Sequence, residues 1–189
     1  MENKPHYFFA LKLPQETKIS MGKNFTELKE LFPFKRWVHE EDLHITLAFL
    51  GSAPENLLIT AKKLVVAAIR DVPPFPVEIN KLGVFGIEEM PRVFWAGIQE
   101  NKELHSLRNR VYQACSEAGF QLESRPFSPH ITLARSWAGA EPFMKREAME
   151  NWGKLQPVPL RFNANEVVLY QTHLDRCPKY EAIEAFPLK

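Results

Sequence analysis

The string His44-Ile45-Thr46-Leu47-Ala48 returns as His130-Ile131-Thr132-Leu133-Ala134, 86 positions further along a chain of 189 residues. The same offset, without a gap, sets Phe8 against Phe94, Ala10 against Ala96, Ser20 against Ser106 and Phe34 against Phe120. Agreement in register on the flank of a five-residue identity reads as an internal duplication. The copies run approximately 7–86 and 92–172. Two copies related by a pseudo-twofold place equivalent residues face to face, so whatever the repeated string does, it does as a pair.

The local signals repeat as well. Tyr7 to Leu13 is an apolar run bounded by Pro14 and reads as a strand, with Val93 to Ile98 as its partner. A helix follows in each copy. In the second, Leu104, Leu107, Val111, Ala114 and Ala118 share one face, from Asn101 as cap to Gly119 as stop. In the first, near Gln15 to Leu31, the stripe is Met21, Phe25, Leu28 and Phe32. The repeated strings are strands. Ser52-Ala53-Pro54-Glu55 has the form of a capping box, opening a helix with Leu57, Leu58, Ala61, Leu64, Val65 and Ala68 inward. A shorter helix is expected from Pro142 to about Trp152, ended by Gly153. Strand-like segments Phe75 to Phe85 and Leu160 to Tyr170 close the copies, and a last strand covers Tyr180 to Phe186. The expectation is an α+β fold in one bilobal domain over 1–189. It has two pseudo-symmetric lobes, each a β-sheet with helices on its outer face, and an active-site cleft between them.

Composition narrows the function classes. Net charge is +1, from 24 basic and 23 acidic residues, which argues against a surface that tracks long stretches of phosphate backbone but leaves room for a nucleotide or an RNA end. No apolar stretch approaches the roughly 20 residues of a membrane helix, so no membrane role is expected. The opening Met1-Glu2-Asn3-Lys4-Pro5-His6 lacks the basic-then-apolar layout of a secretion leader. Cys115 and Cys177 cannot form a disulfide framework or a four-thiolate zinc site, and read as reduced thiols of a cytoplasmic protein.

Strand parity assigns geometry to the repeated string. Residues i and i+2 of a strand share a face, so His44 and Thr46 point one way with Ala48 beyond, while Ile45, Leu47 and Phe49 point into a core. His130, Thr132 and Ala134, against Ile131 and Leu133, repeat the arrangement. A single strand histidine is usually a hydrogen-bonded core residue. Two in register, each with a threonine two positions on, in copies that have otherwise diverged, point to chemistry. One imidazole, neutral near neutral pH, can take a proton from an attacking oxygen, and a protonated one can give a proton to a leaving oxygen. The threonine hydroxyls can donate to the non-bridging oxygens of a phosphate between them. A dinuclear metal hydrolase would need carboxylates beside the histidines. Asp42 is the only near candidate and its counterpart is Ser128, so no metal and no cofactor is expected.

On these residues the chain resembles the 2H phosphoesterase superfamily, and most fully its RNA 2′,3′-cyclic phosphodiesterase (2′-5′ RNA ligase-like) branch. Trp37-Val38 followed by Leu43-His44-Ile45-Thr46-Leu47-Ala48-Phe49-Leu50-Gly51 is similar to that family's first motif, and Arg125-Pro126-Phe127-Ser128-Pro129-His130-Ile131-Thr132-Leu133-Ala134-Arg135 to its second. The resemblance runs over nearly the whole chain. It implies hydrolysis of RNA 2′,3′-cyclic phosphate ends to 2′-phosphomonoesters, with His44 as proton donor and His130 as proton acceptor. It further implies that Thr46 and Thr132 bind the phosphate, with Arg135 beside them. The residues alone do not separate the two histidine roles. Arg135 lies at odd spacing from His130 and reaches a shared cleft only around the strand end or through a bulge. Phe49 stands in its place in the first copy. Ser136 replaces a basic residue frequent in related sequences, and Thr172 a serine.

The expected partners are RNA 3′ ends or nucleotides bearing a 2′,3′-cyclic phosphate, with no obligate protein partner. The same acid–base pair would serve small cyclic nucleotides, an ADP-ribose cyclic phosphate or 2′-5′ oligonucleotides. A non-catalytic RNA- or nucleotide-binding module is the reading from another class, opposed by retention of both histidines and both threonines. His6, His39 and His105 read as solvated or core residues, and His173 as a residue near the cleft at most. Phe9, Phe85, Trp95 and Tyr170 are candidates for stacking on a base.

Overall fold

The computed structural model describes residues 4–189, so Met1 to Asn3 of the opening stretch read for a leader lie outside the described residues. In chain order the elements are β1 (His6–Lys12), α1 (Gln15–Leu31), β2 (Phe34–Trp37), a 3-10 turn (Glu40–Asp42), β3 (His44–Ser52), α2 (Glu55–Ile69) and β4 (Phe75–Ile87). There follow β5 (Met90–Ile98), α3 (Lys102–Glu117), β6 (His130–Trp137), α4 (Lys145–Leu155), β7 (Leu160–Ala164), β8 (Glu166–Thr172) and β9 (Tyr180–Pro187). The strands form an antiparallel sheet in the order β7-β4-β5-β6-β3-β1-β8-β9, with β2 laid against β6. The fold is α+β, in two pseudo-symmetric lobes.

The lobes meet where β3 pairs with β6 through the bridge Ile45↔Ile131. These two residues are equivalents under the sequence repeat, so the pseudo-twofold passes between them. Strands from the two copies are exchanged. β1, paired with β3 of its own copy, takes β8 of the second copy on its other side, and β5, paired with β6, takes β4 of the first. Helices α2 and α3 pack together, with α3 against β3, while α1 and α4 pack on β7 and β4. One core cluster runs through both lobes, and a smaller one of Phe8, Ala10, Val168 and Tyr170 lies on the opposite face of the β1 half-sheet.

The helices follow their apolar stripes. In α1, Lys18, Met21, Phe25 and Leu28 are buried, and in α3 the residues 86 positions on, Leu104, Leu107, Val111 and Ala114, are buried too. Asn101 caps α3 by accepting from the Leu104 amide at 2.8 Å, and Gly119 beyond its end has φ +102°, a conformation that glycine enters without a Cβ penalty.

Four local expectations are corrected. The capping box before α2 is not used: Pro54 occupies the N-cap position with no side-chain cap bond, because the helix begins at Glu55. The fourth helix starts at Lys145 instead of Pro142 and runs through Gly153 to Leu155. The segment Leu160 to Tyr170 is split at Asn165 into β7 and β8, which join different half-sheets. The first strand keeps an offset of 85 instead of 86: Phe9 pairs with Ala48 as Phe94 pairs with Ala134, and Phe8 with Phe49 as Val93 with Arg135. The Phe8–Phe94 and Ala10–Ala96 identities are therefore one residue out of structural register. Core burial decides this, since Phe9 and Phe94 both lie in the main core while Phe8 lies on the other face. Among the described residues, no helix is long and apolar enough to cross a membrane, and both cysteines are free thiols, Cys115 buried and Cys177 exposed.

Candidate active site

Ile45, Leu47, Ile131 and Leu133 are each at most 3% exposed, and burial of such a side chain contributes roughly 1.5–3 kcal/mol. These residues anchor β3 and β6, leaving His44, Thr46, His130 and Thr132 on the other face. Extending the Ile45↔Ile131 register sets His44 across from Thr132 and Thr46 across from His130. All four line one cleft of about 150 Å³.

Beyond the threonines, parity breaks. On β1 the consecutive residues Phe9 and Ala10 pair with Ala48 and Thr46, so Leu47 is an extra residue. On β5, Phe94 and Trp95 pair with Ala134 and Thr132, so Leu133 is extra in the second copy. Each strand thus carries a bulge at the same repeat position, which resets its alternation. Ala48 and Ala134 turn into the core, correcting the expectation that they share the histidine face, and Phe49 and Arg135 turn outward to line the cleft. Phe49 is accordingly 55% exposed instead of buried. Ser136, directly after Arg135, holds a left-handed φ of +61°.

The two imidazoles are held alike. His44 Nδ1 lies 2.7 Å from the Asp42 carbonyl oxygen, and His130 Nδ1 lies 2.7 Å from that of Ser128. A carbonyl only accepts, so each ring carries its proton on Nδ1 when neutral and leaves Nε2 unprotonated, able to accept. His44 Nε2 is 3.0 Å from Thr46 Oγ1. Aromatic rings wall both histidines. Phe8 and Tyr180 pack on His44 at centroid distances of 4.8 and 5.2 Å, and Phe85 and Trp95 on His130 at 4.9 and 6.2 Å. Burial pushes His44 down to about 4; its hydrogen bond to the Asp42 carbonyl opposes this, and His130, Lys18 and Arg135 add to the lowering. Burial likewise lowers His130, with the Ser128 carbonyl opposing and Arg135 adding. Tyr170 beside Phe8 is raised to about 12, chiefly by burial.

The turn that presents His44 is tied to α1. The buried Lys18 amine donates to the Glu41 carbonyl at 2.6 Å, and Gln15 donates to the Glu41 carboxylate. The counterpart in the second copy is a stack: the Arg108 guanidinium lies 4.1 Å from the Tyr112 ring and 5.3 Å from the Phe127 ring. Asp42, the one carboxylate considered for a metal, is not aimed at the imidazoles. Its two oxygens accept from the Lys179 and Tyr180 amides at 2.8 and 3.0 Å. Among the described residues no three His, Cys, Asp or Glu side chains are grouped to hold an ion.

The cleft thus brings together His44, Thr46, His130, Thr132 and Arg135, and adds Phe8, Val38, Asp42, Phe49, Thr172 and Tyr180. Phe9 is fully buried in the core and is no stacking surface, whereas Phe85 and Trp95 stand beside His130. The other histidines hold structural contacts. His39 Nδ1 accepts from the Glu41 amide, His105 packs on Phe127, His6 meets Phe49 edge-on, and His173 pairs with Glu181 at 2.6 Å. Tyr180 carries no repeat partner, and no spacing rule singles it out; Phe49 was hidden by the assumption of unbroken alternation.

Known proteins resemble this chain over most of its length. An RNA 2′,3′-cyclic phosphodiesterase of Geobacillus stearothermophilus is 43% identical over 183 residues, covering 97% of this chain; the chain spans 57% of that relative's length. One of Bacillus subtilis is 36% identical over 188 residues, covering 98% of this chain and 97% of the relative. The crystal structure of E. coli LigT complexed with 3′-AMP superposes with a TM-score of 0.75 at 26% identity, covering 98% of this chain and 99% of that one. The model of the 2′-5′ RNA ligase superfamily matches residues 19–176, which takes in both histidine strings and every strand from β2 to β8, and the chain belongs to that family.

Proposed function

We propose that this chain is an RNA 2′,3′-cyclic phosphodiesterase that opens the cyclic phosphate to a 2′-phosphomonoester by metal-independent acid–base catalysis. The observation that carries the reading is the pair of Nδ1-anchored imidazoles in one cleft, their Nε2 atoms left without a ring proton when neutral, beside two threonine hydroxyls and one arginine. The relatives named for this reaction support it.

His130 Nε2 takes a proton from water as the water oxygen bonds to phosphorus. The P–O3′ bond breaks, and His44 Nε2–H delivers its proton to O3′. Thr46 and Thr132 donate to the non-bridging oxygens, and Arg135 offsets charge on the pentacovalent phosphate. Burial favours neutral imidazoles, which suits the acceptor and opposes the donor. An anionic phosphate seated between the rings raises both, so the donor gains its proton together with substrate. The carbonyl held by each Nδ1–H stabilises the imidazolium as it forms.

The test is incubation with an RNA ending in a 2′,3′-cyclic phosphate, followed by identification of the product. A 2′-phosphate is expected, with turnover unchanged after exhaustive chelation. A 3′-phosphate as sole product would reverse the leaving group, and loss of turnover restored by one divalent metal would defeat the metal-independent mechanism. The small cleft also suits a cyclic nucleotide without an RNA body, and a 2′,3′-cyclic mononucleotide run in parallel separates the two substrate classes.

A further inference from the structure

Asp42 is 5% exposed and makes two kinds of contact at once. Its backbone carbonyl accepts from His44 Nδ1 at 2.7 Å, and its carboxylate accepts from the Lys179 and Tyr180 amides, 137 and 138 positions away in sequence. Those amides lie at the entry to β9, and the Tyr180 ring they bring in stands edge-on against His44 and Phe8. The second copy has no equivalent: Ser128 supplies the carbonyl to His130, but among the described residues its side chain holds no strand start. We propose that Asp42 is a positioning residue that couples the seating of the Lys179–Tyr180 backbone to the environment of the His44 ring. The inference rests on His44 being a catalytic group.

The physical argument is one of cover. A carboxylate accepting two backbone N–H groups fixes both the direction and the depth at which β9 enters the sheet. Tyr180 then closes one side of the His44 ring, while Phe8 and Tyr170 from β1 and β8 close the others. The titratable and charged groups around His44 are Lys18 from α1, Asp42 from the 3-10 turn, His130 and Arg135 from β6, Tyr170 from β8 and Tyr180 from β9. Removing Asp42 has two effects of opposite sign. Loss of an anion favours the neutral imidazole and lowers its titration. Loss of the Tyr180 cover admits water and raises it. The clamp predicts that the second effect wins, because the carboxylate is already engaged by two amides.

The experiment is an NMR titration of the His44 ring in the whole, substrate-free protein, so a failure here stands apart from a failure of the catalytic reading. Asp42→Ala should move the His44 midpoint upward by on the order of one pH unit. Tyr180→Ala should move it in the same direction. In Tyr180→Ala protein, adding Asp42→Ala should give little further rise, since both changes remove one cover. A folded Asp42→Ala protein whose His44 titrates unchanged, or lower, overturns the proposal. If Asp42→Ala does not fold, Tyr180→Ala decides alone, and an unmoved His44 in it is equally fatal. A merely structural Asp42 would lower thermal stability without moving the titration.

Discussion

At the scale of residues, the two histidines are equal in tautomer and unequal in surroundings. Both direct Nδ1–H at a carbonyl two positions back, a consequence of the repeated string. His44→Ala and His130→Ala should each lower kcat by roughly 10²–10⁴-fold in single-turnover assays, the span for losing a general acid or base. The double variant should lose far less than the product of the two, since the groups act as a unit. Near wild-type kcat in folded His44→Ala would end the paired mechanism. Arg135 reaches the same cleft only because Leu133 is bulged. A charge-assisted hydrogen bond to phosphate is worth roughly 1.5–3 kcal/mol, so Arg135→Ala should cost about 10–100-fold in kcat/KM. Retention of full kcat/KM would place the arginine outside the substrate's reach.

At the scale of elements, the strands flanking β3 and β6 decide how the histidine walls are built. Trp95 on β5 lies across the glycines opposite and beside it: a Cβ built on Gly83 or on Gly97 would overlap its ring. Gly83 pairs with Trp95 across β4 and β5, so the absence of a side chain there is what lets the indole cross the glycine and reach His130. Gly83→Ala forces the ring off this seat. It should destabilise the protein by about 1–3 kcal/mol, as overpacking does, and lower activity beyond the loss of folded protein. Denaturant melts with activity corrected for folded fraction check this, and an alanine variant with parental stability and turnover would show that the slot is not needed. The repeat made α1 and α3 legible because buried residues of both keep the offset of 86. It misplaced β1, because one residue is gained between β5 and α3 relative to β1 and α1, and matching phenylalanines and alanines concealed the slip.

At the scale of the molecule, partly burying two histidines ties stability and rate to pH. His44 in the folded chain is depressed from 6.5 to about 4. The native state therefore binds fewer protons than the unfolded chain, and the resulting stability is fully present above pH 6.5 and lost as pH falls through about 4. Its size is at most about 3 kcal/mol. Between pH 7 and 4 the parent should lose more stability in melts than His44→Gln, which has no imidazole to titrate there, and parallel curves would mean that His44 is not held neutral. For the rate, kcat/KM reports the free enzyme, in which both imidazoles are lowered, so its bell should centre below the ordinary histidine value. The kcat profile should lie to higher pH, because bound phosphate raises both rings. The limbs belong to the coupled pair. Coincident profiles would show that the phosphate does not touch the histidines.

Local pattern was sufficient for the helical stripes, the Asn101 cap, the core faces of Ile45, Leu47, Ile131 and Leu133, and the pairing of His44-x-Thr46 with His130-x-Thr132. Each depends on residues within a few positions of one another, or on a repeat that keeps its register. The bulges at Leu47 and Leu133 depend on which residue of a neighbouring strand is opposed, and that neighbour lies 36 or more positions away. Exchange of β4 and β8 between the half-sheets, the split of the 160–170 segment and the Asp42 bonds to Lys179 and Tyr180 are likewise long-range choices. Side-chain alternation carries no record of an extra residue until a partner strand is present to count against. The meeting of His44 and Thr46 with His130 and Thr132 was therefore legible in residue types and spacing, while the presence of Arg135, Phe49 and Tyr180 in the same cleft was decided only when the strands paired.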